Sequence, residues 1–432
     1  MKRNSFWLWV YRIAVSAGLP LVIPALWLKD RASSKSRPPW RERFWRGSRP
    51  AVPGNTLWIQ AVSVGEVEVA RRIASELEQR GSSPPLVLTA TTATGLALAR
   101  RTANAHMSVF PCPIDLPGPV RRAFTGIGPR LLVLVETELW PEMLARAGRL
   151  SVPVAVVNAR LSQRSFTRYR RARPLLHPLL DPITRVLARS EADAERFAQL
   201  GIPRGRIRVT GNIKYDLIPD MAPLPWGDRV DAWAADRPIL VAGSTMDGEE
   251  ATILDALNAL PGRLRPFLIL APRHPERFGD AAAILAANGF RTVRRSELGG
   301  APEHPDALLL DTIGELSRAY RYAAAAFIGG SLVPSGGHNP LEPAAWGTPV
   351  LSGPHVFNFE EIYAELEDAG AARIVSGGNE LARVLGAWLT EPEAARTRGA
   401  AGRRVVEANR GAAARTVDEL RALWDTSPPP PN

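Results

Sequence analysis

From Thr56 onward, short apolar runs rich in β-branched residues alternate with amphipathic stretches. The runs Leu57–Val62, Leu86–Thr89, Leu131–Val135, Val154–Val157, Arg185–Ala188 and Ile207–Thr210 predict strands, and Val67–Arg80, Thr94–Ala103 and Ala192–Leu200 predict helices. Strands that are apolar at nearly every position, rather than at every second one, are covered on both faces, as in a parallel sheet flanked by helices. The pattern breaks at 217–236, where Pro219, Pro223 and Pro225 fall and no period is visible; this predicts a linker. A second series comes next: strands at Ile239–Ala242, Phe267–Leu270, Ala307–Leu310, Ala325–Ile328 and Val350–Leu351, with helices at Glu249–Ala259, Glu276–Asn288, Glu315–Tyr322 and Glu360–Asp368. The Ala- and Arg-rich stretch before the Ser427–Asn432 tail predicts further helix. The fold class is therefore α/β, with two Rossmann-like domains facing a cleft. Ligands in such sheets bind at the C-terminal ends of the strands.

The chain starts differently. Ser5–Leu28 is apolar with Arg12 as its only charge, and holds Pro20 and Pro24. A helix of about 20 apolar residues spans a bilayer, and a shorter one can lie in its interface. Between Lys29 and Arg49 come eight Lys or Arg residues against Asp30 and Glu42, interleaved with Trp40, Phe44 and Trp45. Basic and aromatic residues beside an apolar segment suit anionic lipid headgroups, and their excess on this flank puts the rest of the chain on the cytoplasmic side. The expected organisation is an N-terminal membrane-anchoring helix with its basic segment (1–50), a first domain (51–216), a linker (217–236) and a second domain (237–426). The expected location is the cytoplasmic side of a cell inner membrane.

Composition narrows the chemistry. The 432 residues are 45% apolar and 22% charged, which allows two substantial cores. With one cysteine, Cys112, no internal disulfide can form. The six histidines have no zinc-ligand spacing, so no metal is expected. A net charge of +11 invites a nucleic-acid reading. More than half of that excess sits in the block beside the apolar anchor, not on an aromatic stacking surface, so no nucleic-acid partner is expected.

Polar residues cluster where predicted strands end. In Ala61-Val-Ser-Val-Gly-Glu66 a carboxylate opens a helix at a strand end; ordinary helix electrostatics would also favour an acid there. In Thr89-Ala-Thr-Thr-Ala-Thr-Gly95, Thr92 could meet an anion or cap the helix. Glu136-Thr-Glu138-Leu-Trp-Pro-Glu142 places carboxylates beside an aromatic wall, where a raised pKa or a grip on sugar hydroxyls is possible. Arg160 and Lys214, each at the end of a later strand, could meet an acidic sugar or a phosphate, or could be solvated surface charges. In the second domain, Ala242-Gly-Ser-Thr245 before Asp247-Gly-Glu-Glu250 forms a strand, a small-residue loop and a helix start. Arg273, between Pro272 and the His274-Pro275 pair, suits phosphate recognition. The richest run is Gly329–Gly347, where glycines permit close backbone approach and Pro340 is poised to start a helix. Its amides between Gly337 and Leu341 are expected to face a phosphate, and Glu342 to accept from ribose hydroxyls. No GxGxxG follows the first strand of either domain and no GxxxxGK[ST] is present, which disfavours dinucleotide oxidoreductases and P-loop NTPases.

In order, the segments VSVGE (62–66), TATTATG (89–95), ETELWPE (136–142), VNARLS (157–162), TGNIKYD (210–216), PRHPERF (272–278), DTIGEL (311–316) and GGSLVPSGGHNPLEPAAWG (329–347) resemble the bacterial 3-deoxy-D-manno-octulosonic acid (Kdo) transferases of the glycosyltransferase-B (GT-B) class. The resemblance covers nearly the whole chain; Met246 stands where that pattern has a histidine. It implies an inverting transfer of Kdo from CMP-Kdo to the 6′-hydroxyl of the lipid A precursor lipid IVA, in lipopolysaccharide core biosynthesis, without an essential metal or other cofactor. It further implies Glu66 as general base and Glu138 as a second acid in the sugar or acceptor pocket. Arg273, Gly330, Ser331, Gly337 and Asn339 would hold the CMP, with Glu342 on the ribose. Two other readings remain open: a GT-B enzyme using a UDP-sugar, and a membrane-tethered nucleotide- or lipid-binding module in which Glu66 and Glu138 are dispensable.

Overall fold

The computed structural model describes residues 8–9, 11–13, 15, 17, 40–46, 52–81, 84–173, 179–217, 222–300 and 304–428. Most of the expected anchor at 5–28 and of the basic segment lies outside them. No helix among the described residues is long and apolar enough to cross a membrane. The chain divides into two compact units, one of residues 1–217 with 410–432 and one of 218–409.

The first unit holds a seven-stranded parallel sheet. Its strands are β1 (Thr56–Ala61), β2 (Leu86–Ala90), β3 (Met107–Pro111), β4 (Pro129–Val135), β5 (Val154–Ala159), β6 (Ile183–Ala188) and β7 (Ile207–Val209), in the order β3-β2-β1-β4-β5-β6-β7. The order reverses between β1 and β4, the point at which sheets of this kind bind their ligands. β1, β2 and β5 are buried at every position, which is why their sequences run apolar without alternation. Three polar residues inside this core are linked: Trp58 Nε1 donates to Thr89 Oγ1 at 2.8 Å, and that hydroxyl donates to Gln60 Oε1. The N-terminal residues are tied to the same unit. Tyr11 Oη donates to Asp115 at 2.7 Å, and Arg12 grips the buried Glu142 with two hydrogen bonds of 2.9 and 2.8 Å. Trp9 and Ile13, four residues apart, remain exposed.

The second unit repeats the plan. Its strands are β8 (Ile239–Thr245), β9 (Phe267–Pro272), β10 (Thr292–Arg294), β11 (Ala307–Leu309), β12 (Ala325–Ile328), β13 (Val350–Ser352) and β14 (Ala372–Ile374), in the order β10-β11-β9-β8-β12-β13-β14, all parallel. Here the order reverses between β8 and β12. Both sheets thus have Rossmann-like topology, and the α/β expectation holds. Three strands are not legible in the sequence pattern: β3, only partly buried over its first three residues, and the three-residue β10 and β14.

Two expected boundaries need correction. Residues 217–236 are not a free linker: Gly227–Ala234 is a helix, and buried Trp226 donates to Glu315 at 2.9 Å within the second unit. The second domain does not run to 426. The C-terminal stretch breaks at Arg410–Gly411, and the helix Ala412–Thr426 returns to the first unit. Asp216 accepts from the amides of Gly411 and Ala413 at 2.7 and 2.6 Å, capping that helix from inside the first unit. Val417 and Leu420 then join the core beside Ile73 and Leu77.

Candidate active-site residues

In the first unit the polar loops gather at the C-terminal ends of β1, β2, β4 and β5. Ser63 caps the helix Val64–Gln79. Glu66 folds back across this cap, accepting from the Val62 amide at 2.8 Å and the Ser63 hydroxyl at 2.9 Å. The helix-start role is therefore real, but it does not consume the charge: no ion pair to Glu66 is present among the described residues. Instead Glu66 is 6% exposed with acids for neighbours. Burial foremost, then the charge of Glu136, pushes its pKa up to about 7 against the pull of the Val62 amide. Glu138 is likewise pushed up to about 7, by burial and then by Glu136. Glu136, a non-glycine residue at φ 60°, pairs with Lys214 at 3.3 Å. Asn158 at the end of β5 also has positive φ, 50°. It is buried and accepts from the Ile213 amide at 2.9 Å, which fixes the segment that carries Lys214. Strained backbone of this kind persists where surrounding bonds over-determine it.

The other expected residues of this unit fall around the same loops. Thr92 caps the helix Ala93–Thr102, its hydroxyl accepting from Gly95 N, and its own amide donates to Val62 O at 2.9 Å. That bond fastens the hydroxyl-rich loop to the Glu66 loop. The Arg160 carbonyl accepts from Thr137 Oγ1, joining the Arg160 loop to the Glu136–Glu138 loop. Lys214 is turned to Glu136 rather than left open for a ligand.

In the second unit, β8, β9 and β12 end together. Arg273 leaves β9 with an exposed side chain and a backbone amide bound to Thr245 O at 2.9 Å. His338 is mostly buried, and its Nε2 has no hydrogen-bond partner among the described residues. Burial, and then the charge of Arg273, push its pKa down to about 4, so the ring is neutral at neutral pH. Asn339 accepts from Leu341 N at 3.1 Å and donates to Glu342 at 3.4 Å, linking two of the expected donor-binding residues. Pro340 precedes the first turn of the helix Leu341–Trp346 rather than starting it.

The expected role of the glycine-rich amides requires correction. Gly330 N and Ser331 N do not face open space; they donate to the buried Glu249 carboxylate at 2.6 and 2.9 Å. Gly337 N donates to Gly330 O, His338 N to Gly329 O, and Leu341 N to the Asn339 side chain. These five amides are thus taken up within the second unit. Glu249 and His338 do not stand out in the sequence. The small-residue loop and helix start at 242–250 read as a site for an external anion, and nothing local reveals that Glu249 itself is the anion that reaches loop 330–332.

A family model described as 3-deoxy-D-manno-octulosonic-acid transferase matches residues 39–217. The chain is 37% identical to a 3-deoxy-D-manno-octulosonic acid transferase of Haemophilus influenzae, over 96% of this chain and 98% of that protein. It is 36% identical to one from Bordetella pertussis, over 95% and 98%. Among solved structures, a glycosyltransferase from Rickettsia africae matches with TM-score 0.56 at 13% identity, covering 87% of this chain and 100% of that one. The UDP-GlcNAc 2-epimerase of Neisseria meningitidis matches with TM-score 0.55 at 11% identity, covering 85% and 100%. Such distant likenesses show the two-domain fold alone. The near full-length identity with named transferases shows more: the chain belongs to the 3-deoxy-D-manno-octulosonic acid transferase family and is a glycosyltransferase of the GT-B fold class.

Proposed function

We propose that this chain transfers Kdo from CMP-Kdo to the 6′-hydroxyl of lipid IVA, with inversion, at the cytoplasmic side of the inner membrane. The observation that carries the reading is Glu66: a buried carboxylate among other acids, held at a strand end, with a pKa of about 7. A general base is most effective when its pKa lies near the working pH. Glu66 takes the proton of the acceptor hydroxyl as that oxygen attacks the anomeric carbon. The bond from that carbon to the CMP phosphate oxygen breaks, and CMP leaves with the electron pair. Glu138, also near 7, sits in the acceptor or sugar pocket, with Thr92 and Arg160 on loops bonded to its own or to that of Glu66.

The donor falls to the second unit. Arg273, exposed and fixed by its backbone, meets the phosphate, and Glu342, oriented by Asn339, takes the ribose. No metal is required, because a guanidinium stabilises the departing phosphate. The exposed Trp9 and Ile13 and the basic block from Lys29 to Arg49 support contact with an anionic membrane. The deciding experiment is incubation of purified protein with CMP-Kdo and lipid IVA, read by product mass. A product heavier by one or more Kdo units is expected with wild type and at most a trace of it in the same time with Glu66→Gln; near-normal turnover by Glu66→Gln rejects the base.

A further inference from the structure

Three successive backbone amides, Gly330, Ser331 and Leu332, converge on one point just past β12, where Gly330 adopts φ 68°. A run of converging N–H groups around a left-handed residue is an anion nest of the kind that holds phosphates. Here the nest is full. Glu249, the first residue of the helix Glu249–Asn258, is completely buried and accepts from Gly330 N at 2.6 Å, Ser331 N at 2.9 Å and Leu332 N at 2.8 Å. It also accepts from Met246 N at 2.8 Å. Each carboxylate oxygen thus takes two backbone donors.

The backbone packs closely around this position. A Cβ on Gly329 would lie 2.5 Å from Ser244 O, and one on Gly353 would lie 2.3 Å from Ser331 O. The ends of β8, β12 and β13 are therefore in backbone contact around this carboxylate. Ser331 Oγ adds a bridge, donating to Ile328 O and accepting from Gly353 N. The adjacent Glu250 is held separately by Thr245 and Arg277, at 2.9 and 2.7 Å.

The geometry points to Glu249 as a built-in anion that occupies a phosphate nest and thereby sets donor class. It is a specificity-determining and positioning residue. With amides 330–332 committed, the nest has no donors left for a second phosphate, and it fixes a negative charge where one would go. The site then admits a nucleoside monophosphate and its sugar esters and rejects nucleoside diphosphates. The inference deepens the donor reading of the second unit and rests on it.

The test is equilibrium binding of CMP and of CDP to the full chain by calorimetry. Wild type is expected to bind CMP more tightly than CDP by at least about tenfold. In Glu249→Gln, which keeps size and removes charge, that ratio falls to within about threefold of unity, with a melting temperature confirming a folded protein. Wild type that binds CDP as well as CMP overturns the inference, as does a folded Gln variant that keeps the wild-type ratio. Should the variant not fold, the wild-type ratio alone decides. A folded wild type that binds neither nucleotide overturns the donor reading, and this inference with it.

Discussion

Lys214 Nζ lies 3.3 Å from Glu136 Oε1, and Glu136 is the residue whose charge raises both Glu66 and Glu138. One cation therefore offsets the acid that tunes two others. Glu136 is paired with the lysine, while Glu66, buried, and Glu138, half-buried, are poised near neutrality. Environments that separate otherwise equivalent acids are how one site holds a base and a proton-bearing partner at the same pH.

Activity should follow that tuning. Turnover is expected to rise with pH through about 7 as Glu66 loses its proton. Glu136→Gln removes one of the charges that, after burial, hold Glu66 up, so the acid limb of the kcat/KM profile moves to lower pH. Lys214→Met, which leaves Glu136 unpaired, moves it the other way. Profiles of the two variants that shift in the same direction would contradict the arrangement.

Glu66→Gln should trade activity for stability. Loss of the base lowers kcat by about 10²- to 10⁴-fold, while CMP affinity is unchanged. Glu66 has a folded pKa raised from the ordinary 4.5 to about 7. Its contribution is therefore fully present below about pH 4.5 and is lost as pH rises through 7. A neutral glutamine escapes that loss and still accepts from Val62 N. The variant is expected to be more stable than wild type by on the order of 1–3 kcal/mol at pH 8 and near equal at pH 4.5, by thermal denaturation at the two pH values.

Asp216→Ala tests where the C-terminal helix belongs. It removes the cap on Gly411 N and Ala413 N, at a cost of about 1–2 kcal/mol. For a unit of this size that lowers Tm by roughly 2–8 °C. CMP binding should be unaffected, since Arg273, Asn339 and Glu342 lie in the other unit.

Arg12→Ala strips the two-bond grip on Glu142, which is 2% exposed, and leaves Arg149 at 3.9 Å as its nearest cation. A buried acid that loses its partner costs roughly 1–3 kcal/mol. Arg12→Ala combined with Glu142→Gln should recover part of the loss, read by denaturant unfolding of the full chain.

Local rules are enough to read the α/β class, the two units, and the placement of Glu66, Glu138 and Arg273 at strand ends from the chain alone. Strands buried on both faces must be apolar throughout, and chemistry collects where such strands stop. Those rules miss β3, β10 and β14 because these strands are only partly buried and lack the continuous apolar run of the others. They assign the last helix to the wrong unit because an Ala- and Arg-rich amphipathic stretch does not say which core it covers; Asp216, nearly 200 residues earlier, does. The electrostatics of the acids and the fate of the glycine-rich amides are settled by packing between distant segments. A pKa near 7 at Glu66 requires burial beside Glu136, 70 positions away, and a carboxylate in the nest of Gly330–Leu332 requires β8 and β12 to be neighbours. Long-range pairing sets both, and no window of sequence contains it.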